Sequence, residues 1–166
     1  MGGGNVMLKK LDTMPTKTTK KKYVYREKSP LGHYKADAFL VRCVDNRFWK
    51  STKHFVKELG MRHVDPKSPA GGAKVFSSPF EESDREYFLR ELGISMKLHH
   101  VGRVMLFTHH DCGAYGGFAK FDNNHEAELS FHEEEHAKAT KVIYDRFPDL
   151  IVETYFIDKD GIIRTS

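Results

Sequence analysis

From Tyr34 onward, short apolar runs rich in branched side chains alternate with stretches whose apolar residues recur at helical spacing, and few architectures accommodate that alternation. Residues 36–43 (ADAFLVRC) read as a buried strand that ends at a cysteine. Residues 48–59 then place Trp49, Phe55, Val56 and Leu59 at helical spacing, with Gly60 as the stop. Residues 61–64 read as a short strand, and residues 65–72, rich in Pro and Gly, as a loop. Residues 83–98 predict a helix with Phe88, Leu92 and Met96 on one side, and residues 103–108 (RVMLFT) a strand stopping directly before His109. Residues 123–126 have the form of a capping box, opening a long helix to about Phe147, where Pro148 closes it. Residues 150–157 (LIVETYFI) predict the last strand.

Strands separated by helices pair in parallel through right-handed crossovers, so the expected fold is α/β, a central, mostly parallel sheet of about four strands flanked by helices. Such sheets carry their chemistry beyond the carboxyl ends of the strands. Cys43 follows the first strand, and His109 and Cys112 follow the third, so two distant segments can converge on one point.

A chain of 166 residues, 39% hydrophobic, supports one ordinary core. The formal charge of +4 is unevenly placed: residues 1–28 hold eight Lys or Arg against Asp12 and Glu27, a net of +6, which leaves −2 for the rest. We therefore read residues 1–28 as a basic, flexible arm and residues 29–166 as a single domain. No nucleic-acid partner is expected, because aromatic residues able to stack on bases are missing from the arm before Tyr23. No run approaches the ~20 apolar residues of a membrane span, and the N-terminus lacks the apolar stretch of a secretory signal. Met1-Gly2 does not open a myristoylation motif, since Val6 stands where Ser or Thr is required. These features predict a cytoplasmic protein with no membrane partner.

Cys43 and Cys112 are the two cysteines. In a cytosolic chain such a pair points to metal binding or catalysis before a disulfide. His109-His110-Asp111-Cys112-Gly113 contains His-x-x-Cys, and with Cys43 the donors number two thiolates and one imidazole, a set suited to zinc. Structural zinc sites fill all four positions with protein donors; catalytic ones leave the fourth to water, so a three-donor set points to chemistry. Asp45, two residues beyond Cys43, could coordinate the metal or accept a hydrogen bond from its water. Arg47 could hold that carboxylate back by pairing with it, or the two could form an ordinary salt bridge at a helix start.

A rival motif is His132-Glu133-Glu134-Glu135-His136, the His-Glu-x-x-His pattern of zinc proteases. Its histidines continue a helix face made by Leu129, Ala139, Ile143 and Phe147, and a third ligand is not evident, so we read them as the polar edge of an amphipathic helix.

Cys43-x-Asp45-x-Arg47 after one strand, then His109-x-x-Cys112-Gly113 after a later one, is similar to the paired motifs of the β-class carbonic anhydrases, over roughly residues 36–157. The resemblance implies a parallel-centred α/β fold, zinc on Cys43, His109 and Cys112, an Asp45/Arg47 catalytic dyad, and reversible hydration of carbon dioxide to bicarbonate. It also implies a homodimer. Gly113 would lie beside the substrate, and His110 would be a candidate proton shuttle. Relatives on this fold hydrolyse carbonyl sulfide or carbon disulfide, and a zinc-binding homologue without turnover is a third reading. Two thiolates cancel the charge of zinc, so bound water is acidified less than by three neutral histidines and activity is expected to favour alkaline pH. This chain departs from the family pattern at Asn46, where Ser is usual, and in residues 68–73, which match the family's Arg-Asn-Ala-Gly-Asn loop only in part.

Overall fold

The computed structural model describes residues 22–166. Residues 22–32, the described part of a unit that ends at Gly32, hold neither helix nor strand; there Tyr25 Oη donates to Glu27 Oε2 (3.3 Å) and Arg26 lies over the Tyr23 ring. The basic-arm reading falls largely on residues 1–21, which lie outside the described residues.

The unit His33–Ser166 is built on a five-stranded sheet in the order β2-β1-β3-β4-β5. The strands are β1 (Ala38–Val41), β2 (Val64–Lys67), β3 (Arg103–His109), β4 (Ile151–Ile157) and β5 (Ile162–Arg164). The first four pair in parallel, and β5 returns antiparallel on β4. The helices are α1 (Trp49–Glu58), the single turn α2 (Lys74–Ser77), α3 (Glu82–His99) and α4 (His125–Arg146).

Alternation along the central strands divides the core into two layers. Phe39 and Val41 of β1, with Val104 and Leu106 of β3, face Phe76, Leu89, Leu92, Ala139 and Ile143 from α2, α3 and α4. Ala38, Leu40, Met105 and Phe107 face the other way, onto α1 through Phe55 and Val56. Burial on both faces explains why these strands read as continuous apolar runs rather than alternating ones. Each fully buried Leu or Phe contributes about 1.5–3 kcal/mol.

The fold class stands as expected, with differences at its margins. The sheet has five strands rather than about four, the extra one being the three-residue β5. The second strand begins at Val64, three residues later than predicted, and runs through Pro66. At the sheet's edge the missing N–H of Pro66 costs no ladder bond. The helix cap is Asn124, not Asn123: its side chain accepts from the N–H groups of Glu126 and Ala127, while Asn123 adopts φ +56°.

A larger correction concerns α4. His132 and His136 are not a polar edge; they are 0% and 1% exposed, and Glu128 and Glu135 are buried with them. His136 is hydrogen-bonded through Nε2 to Thr108 Oγ1 (3.0 Å) and through Nδ1 to Thr165 Oγ1 (2.8 Å), tying α4 to β3 and to the chain end. Glu135 accepts from Ser77, Ser78 and Lys138. His132 lies among Tyr115, Phe131 and Phe156, and neither of its ring nitrogens has a partner among the described residues.

Burial lowers the pKa of His132 to about 3 and of His136 to about 4, so both rings are neutral in the fold. Unfolded, both titrate near ~6.5, so below that pH the unfolded chain takes up protons that the folded chain refuses. Their contribution to stability is present above pH ~6.5 and is lost as pH falls toward their folded values. We predict a melting temperature that drops between pH ~6.5 and ~4, and a shallower drop in His136→Gln. Thermal melts across that range check it; equal slopes in the two proteins would show that His136 is protonated in the fold.

Candidate metal centre

The sulfur atoms of Cys43 and Cys112 meet because β1 and β3 pair directly, in the register Phe39↔Val104, Leu40↔Met105 and Val41↔Leu106. Cys43 follows β1 by two residues and His109 is the last residue of β3. Cys43 Sγ lies 3.9 Å from Cys112 Sγ, both thiols are free, and the donor atoms of Cys43, His109 and Cys112 lie within 4.8 Å of one another. All three residues are buried.

A third segment closes the cluster from the side. The N–H of Gly71 donates to Cys43 Sγ (3.2 Å), that of Val44 to the carbonyl of Pro69, and that of Ala73 to the carbonyl of Phe107. Gly72, at φ +59°, fits so tightly that a Cβ there would stand 2.0 Å from the Phe107 carbonyl oxygen and 3.0 Å from the Cys43 nitrogen. Only glycine meets both demands.

His109 is oriented on three sides. Its Nδ1 donates to the carbonyl of His110 (2.8 Å), its ring stacks on Phe48 at 4.5 Å, and its Nε2 is buried with no hydrogen-bond partner among the described residues. A carbonyl only accepts, so the proton is assigned to Nδ1 and the lone pair to Nε2, as a metal-ligating histidine requires. An orphaned imidazole nitrogen beside two thiols is a donor set that could hold a metal ion, and the residues present fit one.

Charge supports the same reading. Hydrogen bonding from the Cys112 thiol holds the pKa of Cys43 below that of an ordinary thiol, against the opposing effect of burial, with the N–H groups of Asp45 and Gly71 assisting. The same pairing, together with burial, raises the pKa of Cys112. Two adjacent buried thiols do not both ionise readily, and a doubly positive ion is what lets both serve as thiolates.

Asp45 and Arg47 form a close pair. Arg47 Nε and Nη2 donate to Asp45 Oδ2 at 2.9 and 2.7 Å, and the Arg47 N–H donates to Oδ1 at 2.9 Å. The guanidinium keeps Asp45 below the usual carboxylate range. Asp45 Oδ2 is 3.9 Å from His109 Nε2, so the carboxylate borders the donor cluster. Arg47 also reaches the carboxylate and carbonyl of Asp111 (3.3 and 3.2 Å), linking the segments after β1 and β3.

The structure therefore brings together Cys43, His109 and Cys112, with Asp45 and Arg47 alongside. His110 is turned away, its Nδ1 bonded to Glu128 Oε2 at 2.6 Å. A Cβ at Gly113 would meet nothing within 4 Å. The rings of His132 and His136 have centroids 6.5 Å apart and join no donor group among the described residues. Sequence reasoning missed Phe48, Asp111 and Glu128. Glu128 is 1% exposed and accepts the N–H of Asp111 (2.8 Å), holding the turn between His109 and Cys112. Its sole signal was position: it begins the helical series 128, 132, 135, 136, 139, 143.

A family model described as "Putative carbonic anhydrase" matches residues 34–165. Among curated proteins, an uncharacterized protein of Rickettsia bellii (strain RML369-C) is 28% identical over 132 residues, covering 78% of this chain and 80% of its own. An uncharacterized protein of Rickettsia conorii (strain ATCC VR-613 / Malish 7) is 26% identical over 132 residues, covering 78% and 71%. Among solved structures, the β-carbonic anhydrase CafA of Aspergillus fumigatus superposes with a TM-score of 0.53 at 15% identity, over 79% of this chain and 76% of that one. A carbonic anhydrase from Glaciozyma antarctica gives 0.52 at 19%, over 82% and 85%; a tetrameric β-carbonic anhydrase of Sordaria macrospora gives 0.53 at 16%, over 80% and 81%. At these identities the structural likeness bears on the fold alone.

We predict that the purified protein retains about one thiophilic divalent ion per chain through dialysis, since the cluster offers one set of three donors. Cys43→Ser or Cys112→Ser should empty it, read by elemental analysis. Full retention in the double variant, or a Cys43–Cys112 disulfide in the native protein, would refute the cluster as a metal centre.

Proposed function

We propose, from the premise that this chain belongs to the putative carbonic anhydrase family, that it is a zinc enzyme catalysing the reversible hydration of carbon dioxide to bicarbonate and a proton. The observation that carries this reading is the buried Nε2 of His109, without a partner among the described residues, beside the Cys43 and Cys112 sulfurs, with an Arg47-held carboxylate at the rim. Zinc would be held by Cys43, His109 and Cys112, and when bound it would supply the Lewis acidity that makes a nucleophile of water, most readily at alkaline pH because two of its three ligands are thiolates.

The chain's own residues do the rest. Asp45 is an ionised hydrogen-bond acceptor, and its place at the rim lets it orient a water proton. Arg47 fixes both Asp45 oxygens, so the carboxylate is held at the rim of the donor cluster rather than within it. Phe48 covers one face of His109 and excludes water there. Gly113, next to Cys112, is assigned to the substrate side, where the lack of a side chain leaves the approach open. We further propose a homodimer acting in the cytoplasm; among the described residues no helix is long and apolar enough to cross a membrane.

Two substitutions divide the roles. Asp45→Asn keeps size but removes the charged acceptor, so zinc should stay while hydration falls by about 10²-fold or more. Arg47→Ala should free Asp45 to take the remaining coordination position, giving a protein that holds zinc and does not turn over, with a carboxylate oxygen ~2.0–2.2 Å from the metal in a crystal structure. Stopped-flow carbon dioxide hydration and metal analysis on the same samples decide it. Full activity in both variants would reduce the dyad to a helix-start salt bridge, and zinc without hydration in the native protein would leave a binding protein or a hydrolase of another linear molecule.

A further inference from the structure

A second group of donors lies on the far side of the turn after β3. His125 and Glu128 stand three residues apart in the first turn of α4, a spacing that puts both on one side of a helix. His110, the residue after β3, packs against them: its ring centroid is 5.0 Å from that of His125, and its Nδ1 is 2.6 Å from Glu128 Oε2. Phe118 lies against both imidazoles, 4.5 Å from each. The donor atoms of His110, His125 and Glu128 all fall within 4.8 Å of one another, as those of the sulfur cluster do.

We infer that His110, His125 and Glu128 form a second metal site, for an exchangeable divalent transition ion. The donors are two imidazoles and one carboxylate, a set that suits zinc, cobalt, nickel or copper and has too few oxygens for calcium or magnesium. Glu128 is buried and its other oxygen is already fixed by the Asp111 N–H, the kind of outer hydrogen bond that orients a ligating carboxylate. His125 is exposed and gives an ion its way in. An ion seated there replaces the hydrogen bond between His110 Nδ1 and Glu128 Oε2, the imidazole proton moving to Nε2 so that the Nδ1 lone pair is free to ligate. Without a thiolate, this site holds its metal more weakly than the sulfur cluster, so dialysis removes that ion first.

The test is a calorimetric titration of Ni²⁺ into dialysed, tag-free protein. One further equivalent should bind to the native chain. His125→Ala, a change at an exposed position outside the sulfur cluster, should weaken that binding at least about tenfold while the retained ion stays. The Cys43→Ser/Cys112→Ser protein should keep the Ni²⁺ binding, which separates this site from the first whatever the first one does. A Ni²⁺-soaked native crystal should show anomalous density between the three side chains. Uptake unchanged in His125→Ala, or density only elsewhere, would overturn the assignment.

Discussion

Pairing of β1 with β3 in a single parallel register is the constraint on which the rest of this molecule rests. It sets Phe39, Val41, Val104 and Leu106 toward one layer of helices and Ala38, Leu40, Met105 and Phe107 toward the other. A slip of one residue would exchange those faces, and with them carry Cys43 away from Cys112. The backbone of residues 69–73 then wedges between the two strand ends, which is possible because Gly72 has no side chain to collide with Phe107. Packing and chemistry are thus specified by the same few hydrogen bonds.

The layer beneath the sheet is unusual in another respect. The buried side of α4 is polar along most of its length, through Glu128, His132, Glu135 and His136, before turning apolar at Ala139 and Ile143. Buried polar groups are tolerated where their bonds are made. Glu128, Glu135 and His136 each make at least two, to a turn, to serines and a lysine, and to two threonines. His132 makes none among the described residues and is held by aromatic rings instead. This face gives α4 a fixed rotation over the sheet that apolar contacts alone would specify less sharply.

Much of this was legible in the residues. β3 (RVMLFTH) and β4 (IVETYFI) run for seven residues each with apolar, β-branched or aromatic side chains at most positions, long enough that little competes with a strand, and the convergence of Cys43 with His109 and Cys112 followed from where the strands end. What escaped has local causes. Asp65 and Pro66 look like a loop and become a strand because an edge position asks less of each residue. β5 is three residues long, yet the Asp158–Gly161 turn announces it: Asp158 Oδ1 accepts from the N–H groups of Asp160 and Gly161, the reversal that Asp and Gly favour. The acidic run in α4 has the composition of a solvated surface, and the helical period that buries part of it passes through charged residues, so hydrophobicity could not mark the inner face. Asp111 and Glu128 act through a turn whose shape no motif encodes.

The separation of Cys43 from Cys112, 69 positions along the chain, has a consequence for how the centre comes into being. Where two cysteines lie close in sequence, an ion can gather them early and organise a short peptide around itself. Here no such shortcut exists: the thiols meet only after a non-local parallel pairing has closed a long loop, the slow kind of event in folding. An ion held by these donors would therefore be a late arrival that selects a chain already assembled. Once seated it would act as a removable cross-link across that loop, stabilising the native state according to its free concentration. Its departure would loosen the meeting point of β1 and β3 and leave the two-layer core to hold the sheet.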